Sequence, residues 1–129
     1  MSGHTATPWA SSGVRRLVRA MRHTHDGIRH ALMHDSAIRQ VSLACAVLSL
    51  IALALPVTYI EKLLLIAPTM LVVLVEYINS AIEATVDRIS LDSHPLSKQA
   101  KDLGSVAVGI SVTIAGLCWT VIVGALVLR

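Results

Sequence analysis

The apolar positions of this chain fall into three long runs, residues 41–60, 63–82 and 103–128, preceded by a shorter stretch with a helical period. Residues 41–60 carry no charge, and a helix of about twenty residues reaches about 30 Å, enough to cross bilayer hydrocarbon. Residues 63–82 match that length, with Glu76 and Asn79 as their strongly polar members, and residues 103–128 are again without charge. The pattern predicts three transmembrane helices. Ahead of them, Val14, Leu17, Val18, Met21, Ile28, Ala31 and Leu32 recur at three- and four-residue steps. Arginines and histidines fill much of the other face, while Thr24 and His25 interrupt the apolar stripe. This is an amphipathic helix suited to the membrane interface, a soluble helix packed on a loop being the plainer alternative.

The breaks between runs are short. Asp35-Ser36 separates the surface helix from the first span, and Pro56 ends that span. Glu61-Lys62 reads as a polar turn, and Pro68 falls in the first turns of the second span, where a kink is tolerated in a membrane. Residues 90–97 form the next turn, with Pro95 as its breaker and Ser97 capping a helix that runs into the third span. The resulting division is a polar tail over residues 1–13 and a membrane domain over 14–129. Within that domain the surface helix covers about 14–34 and the spans about 38–60, 63–87 and 103–128, with a loop at about 88–102. Ala107, Ser111 and Ala115 repeat at four-residue steps, as do Ser80 and Ala84, a spacing that lets helices approach closely in lipid. Three spans make a thin bundle, so self-association is expected.

Composition agrees with a membrane protein: 54% of residues are hydrophobic and mean hydropathy is +0.68. Charge adds an orientation. Nine of the basic residues (Arg15, Arg16, Arg19, Arg22, Arg29, Arg39, Arg88, Lys98 and Lys101) lie before the first span or between the second and third, while Lys62 and Arg129 fall on the other side. The positive-inside rule then places the N-terminus and the 87–102 loop in the cytoplasm. Anionic headgroups account for the arginines better than nucleic acid does. Cys45 and Cys118 sit inside apolar runs without metal or C-x-x-C spacing, and read as small packing residues rather than a disulfide.

The chemistry concentrates on one stripe. At about 100° per residue, Glu76, Asn79, Ser80, Glu83 and Asp87 share an arc of about 100° on a helix. A carboxylate at membrane depth costs about 2.5–3.5 kcal/mol on insertion scales, so such residues ordinarily serve a pathway, a partner or a reaction. The stripe begins deep in the apolar run and emerges at its polar boundary. Asp87-Arg88 reads equally as a boundary ion pair or as part of the site. His30 and His34, one turn apart, lack the further ligands of a zinc site. No GxxxxGK[ST] loop or soluble protein-kinase motif set occurs.

Glu76-Tyr-Ile-Asn79-Ser-Ala-Ile-Glu83-Ala-Thr-Val-Asp87-Arg88, followed by Ala100-Lys101-Asp102-Leu-Gly104-Ser105, closely resembles the prokaryotic diacylglycerol kinase family. The resemblance covers roughly residues 13–128. It implies an all-α integral membrane homotrimer in the bacterial cytoplasmic membrane, phosphorylating a lipid alcohol with ATP and Mg²⁺ as cofactor. Its partners would be the lipid substrate, ATP and further copies of itself, with no nucleic acid. Carried onto this chain, Glu76 corresponds to the catalytic base, and Asp35 and Glu83 to metal-binding carboxylates. Arg16, His23, Asp35, Glu83, Asp92, His94, Lys101 and Asp102 correspond to nucleotide-side residues, and Asn79, Ser105 and Arg39 support the site and the lipid.

The physical reading runs parallel. Phosphoryl transfer needs positioning, metal, cationic groups and an acceptor for the alcohol's proton. Glu76 sits seven residues, about 10 Å, deeper than Glu83. A lipid hydroxyl near the acyl boundary and a nucleotide arriving from water require that vertical order. The chain also departs from the family pattern. Asp35 stands where a glutamate is usual, Val41 replaces a carboxylate, and His25 occupies an aromatic position. Diacylglycerol is the expected acceptor. Undecaprenol is the nearest rival, and a catalytically silent protein of the same fold or a small transporter are alternatives from other classes.

Overall fold

The computed structural model of the chain describes residues 13–128, folded into four helices: α1 (Gly13–His34), α2 (Ser36–Ala54), α3 (Tyr59–Ile89) and α4 (Pro95–Val127). The tail expected over residues 1–13 lies, Gly13 apart, outside the described residues. The molecule divides into two compact units, Met1–Asp35 and Ser36–Arg129. In the first unit α1 buries none of its residues. Its break from α2 is at Asp35, whose backbone N–H still bonds the Ala31 carbonyl at 2.8 Å.

In the second unit, α2, α3 and α4 are each long and apolar enough to cross a membrane. Their lengths are unequal. α2, with 19 residues, is about 28 Å long, whereas α3 and α4, with 31 and 33, reach about 46 and 50 Å. The two longer helices are therefore longer than bilayer hydrocarbon is thick, long enough to span it and still leave polar ends outside.

α3 is the middle helix, packed against α2 on one side and α4 on the other. Its buried residues Leu65, Thr69, Val72, Glu76 and Asn79 alternate steps of four and three. Those of α2 (Ile38, Cys45, Ala52) step by seven, and those of α4 (Gly104, Ser111, Ala115, Ile122) by seven and four. This 3.5-residue period is the seam of helices packed at shallow angles. The layers can be read off directly. Ala52, Leu65 and Ile122 form one cluster, with Leu55, Val57, Ile66 and Trp119 against it; Cys45, Val72 and Ala115 form the next. Between them Trp119 Nε1 donates to Thr69 Oγ1 at 3.0 Å, and Thr69 Oγ1 donates to the Leu65 carbonyl at 2.7 Å. Cys45 and Cys118 are free thiols.

Two connections differ from the sequence reading. Glu61 and Lys62 belong to the first turn of α3, not to a turn before it. Thr58 caps that helix in a reciprocal box: its Oγ1 accepts the Glu61 N–H at 3.3 Å, and Glu61 Oε2 accepts the Thr58 N–H at 2.8 Å. Lys62 Nζ reaches back to the Leu53 carbonyl at 2.6 Å, satisfying an acceptor at the end of α2. At the other end, Pro95 opens α4 instead of breaking before it, and the cap is His94, not Ser97. Proline lacks the N–H that a first helical residue could not use. The expected loop at 88–102 is thereby reduced to the short link between Ile89 and Pro95. Pro68 lies inside α3, which continues through it.

Candidate active site at the polar end of α3 and α4

The apolar seam turns polar as it approaches the ends of α3 and α4. Glu76 and Asn79 hold core positions with only 7% and 8% of their surface exposed, and Glu83, one turn further, is half-buried. Asn79 Nδ2 donates to Glu83 Oε1 at 3.1 Å. An ionised carboxylate only accepts hydrogen bonds, so the Asn79 amide must present its NH₂ to Glu83 and its oxygen the other way. The oxygen, Oδ1, points at α4, where a Cβ on Gly104 would collide with it.

Beyond this layer the helices are tied by charge. Lys101 Nζ donates to Asp87 Oδ1 at 2.6 Å, joining α4 to α3. The ion partner of Asp87 is thus Lys101 across the seam, not its neighbour Arg88. An i,i+1 pair on a helix does not face itself, whereas the antiparallel register brings residue 101 opposite residue 87. Lys98 Nζ donates to Asp102 Oδ2 at 2.6 Å one turn earlier on α4. That hydrogen bond, reinforced by the Asp102 charge, raises the Lys98 pKa above its ordinary value.

These side chains border a polar cavity of about 260 Å³ at the α3–α4 turn, lined by Val86, Asp87, Ser90, Leu91, Asp92, Ser93, His94, Ser97, Lys98, Lys101 and Asp102. His94 Nδ1 accepts the Leu96 N–H at 3.2 Å as the cap of α4, which leaves the proton of a neutral ring on Nε2. Asp92 is held by its N–H to Ser90 Oγ at 3.0 Å. Ser105 turns its hydroxyl to the Lys101 carbonyl at 3.2 Å.

The sequence-expected residues therefore divide into groups. Asn79 and Glu83 meet directly, and Asp92, His94, Lys101 and Asp102 share one cavity with Asp87. Glu76 sits deeper on the same stripe and does not line that cavity. Arg39 is exposed near the start of α2. Arg16, His23 and Asp35 belong to the first unit, with Arg16 and His23 exposed on α1. Ser90, Ser93, Ser97 and Lys98 were not expected at the site from the sequence, though their clustering around His94-Pro95 was a signal. Gly104 was seen only as part of a motif string.

Among the described residues no three His, Cys, Asp or Glu side chains gather as a metal cage. A donor set of one or two carboxylates suits Mg²⁺, which is ordinarily held by few protein oxygens together with substrate phosphates and water. Glu83, with one oxygen fixed by Asn79, has the chemistry for such a ligand.

The profile of the family described as prokaryotic diacylglycerol kinase matches residues 22–123, which contain α2, α3 and the site. The chain belongs to the prokaryotic diacylglycerol kinase family. A diacylglycerol kinase of Pseudomonas aeruginosa is 42% identical over 86% of this chain and 90% of its own length. One from Escherichia coli K12 is 41% identical over 87% and 92%, and one from Helicobacter pylori 38% over 87% and 88%. Each of these kinases is matched along nearly its whole length, so the family relationship covers the membrane helices and their polar ends together.

Proposed function

We propose that this protein transfers the terminal phosphoryl group of ATP to 1,2-diacylglycerol, forming phosphatidic acid at the cytoplasmic face of a bacterial inner membrane. The observation that carries the reading is the Glu76–Asn79–Glu83 stripe, running from the apolar seam to a polar cavity in a chain of the diacylglycerol kinase family. Domain 14–129 is the catalytic membrane unit, with α1 lying in the interface as an amphipathic helix. The active assembly is a homotrimer.

In the reaction the 3-hydroxyl oxygen of the lipid attacks the γ-phosphorus, the bond to the β–γ bridging oxygen breaks, and ADP leaves. Glu76, at membrane depth, takes the hydroxyl proton. Asp35 and Glu83 are the residues to hold Mg²⁺, which when bound neutralises phosphate charge and orients the transferring group. Lys101 supplies fixed positive charge on the nucleotide side, with Arg16 and His23 contributing from α1. Asp92, His94 and Asp102 shape the nucleotide cavity. Asn79 orients Glu83, while Ser105 and Arg39 support the lipid end.

The decisive experiment uses purified chain in mixed micelles with MgATP, offered diacylglycerol or undecaprenol side by side. Diacylglycerol should be the better acceptor, and Glu76→Gln should lower kcat by about 100- to 10,000-fold, the usual contribution of a general base. Equal rates for wild type and E76Q would overturn the assignment of the base. Preference for undecaprenol would keep the chemistry and change the substrate. Including Asp35→Glu reads out whether the shorter carboxylate limits the rate.

A further inference from the structure

We infer that Gly104 is a positioning residue for the metal-side carboxylate: its missing side chain admits the Asn79 amide, and the seated amide holds Glu83. This rests on the kinase reading above for the role of Glu83, but its geometry stands independently. Asn79 is more than nine-tenths buried, and its Oδ1 is fully enclosed yet finds no N–H or O–H partner among the described residues. An enclosed carbonyl oxygen without a donor is costly, so something must fix the amide there. Its other end supplies the reason, since Nδ2 is committed to Glu83 Oε1 at 3.1 Å.

Turning the amide over would set its oxygen against the carboxylate. The oxygen is therefore driven against α4, at a point where an ideal Cβ on residue 104 would overlap Oδ1 and press the amide carbon at 3.3 Å. In glycine that direction is a Cα–H bond, a weak donor to a carbonyl oxygen. Gly104 is itself buried, and its backbone lies in the ordinary helical region without positive φ. Conformational freedom is thus not what glycine supplies here. Close approach is.

The consequences run both ways along α4. A methyl at 104 must displace the side chain it meets, and Asn79, enclosed between helices, has no slack except by swinging away from Glu83 or pushing α4 outward. Lys101, one turn from Gly104, would move with α4 away from Asp87. Gly109, on the same helix, has nothing within 4 Å of an added Cβ. It serves as the control.

The test compares Gly104→Ala, Gly109→Ala, Asn79→Ala and the double variant Gly104→Ala/Asn79→Ala in lipid micelles. Turnover is measured against Mg²⁺, and Mn²⁺ binding in the presence of ATP is measured by electron paramagnetic resonance without lipid acceptor. Alanine is the better helix former, so a glycine that made no close contact would leave G104A neutral or more heat-stable, and one that served packing alone would lower stability without changing metal dependence. The expected result is instead a roughly tenfold higher apparent KM for Mg²⁺ and a matching loss of Mn²⁺ affinity, with KM for diacylglycerol unchanged. G109A should match wild type. In the Asn79→Ala background, where the colliding amide is gone, G104A should change neither readout by more than about twofold. Wild-type metal dependence in G104A, or an equal effect in both backgrounds, overturns the proposal. If G104A alone fails to fold, the double variant must be recovered folded and bind Mn²⁺ as Asn79→Ala does; a double variant that also fails overturns it too. Absence of lipid phosphorylation by wild type would sink the kinase reading instead, and Mn²⁺ binding would still decide the role of Gly104.

Discussion

Lys101 and Asp87 show how a single contact can matter more for position than for stability. Their side chains are 38% and 47% exposed, and a pair in that setting is worth about 0–1 kcal/mol. Removing Asp87 should therefore change little by itself: Asp87→Asn is expected to alter kcat/KM for ATP by about fivefold or less. Lys101→Met removes the proposed charged donor to phosphate, a hydrogen bond of about 1.5–3 kcal/mol, and should lower the same constant by roughly 10- to 150-fold. Steady-state kinetics on both variants checks the contrast; equal losses would mean that the ion pair, not phosphate contact, is the purpose of Lys101. At this scale the sequence was informative about identity and poor about partners. Glu76, Asn79 and Glu83 were legible because helical periodicity alone puts them on one face. The Asp87–Lys101 pair, 14 residues apart, and the seating of Asn79 on Gly104 depend on the register between two helices, which no local pattern encodes.

At the level of elements, the helices were found where hydrophobic length and period placed them, and their ends were not. Thr58 and Glu61 explain one miss: the capping box starts α3 four residues before the apolar run does. His94-Pro95 explains the other, since a proline read as a breaker is equally at home as a first helical residue. The cap is also testable. Thr58→Ala removes the acceptor for the Glu61 N–H and should cost about 0.5–2 kcal/mol, measurable as reduced resistance to denaturant in micelles. Activity under native conditions should be retained, because the cap lies at the opposite end of α3 from the carboxylates. A large loss of activity without loss of stability would show that the two ends of α3 are coupled.

For the whole molecule, the second unit buries a narrow seam and leaves most of its large apolar side chains outside it. Leu50, Leu63, Leu117 and Val121 are all more than 60% exposed. Such surface is stable against lipid, yet the outward Thr113, Gly116 and Thr120 of α4 form a small-residue stripe open to a neighbouring helix. The proposed assembly of three copies should appear as a trimer by native mass spectrometry from nanodiscs or by crosslinking in membranes. A persistent monomer with full activity would remove the need for it. Three spans and an all-helical fold were legible from hydropathy, because lipid demands long apolar helices. Which surface would face another copy was not, because packing surface and lipid-facing surface use the same side chains.

The apolar and acidic stretches of α3 share one heptad. Leu65, Thr69 and Val72 keep the same phase as Glu76 and Asn79, so the packing that clamps the helix also aims its acids. One residue inserted between Val72 and Glu76 would rotate everything beyond it by about 100°. The hydrophobic teeth would stay engaged while both glutamates swung out of the seam. Evolution can therefore trade apolar residues along this helix freely, but it can scarcely change the helix's count.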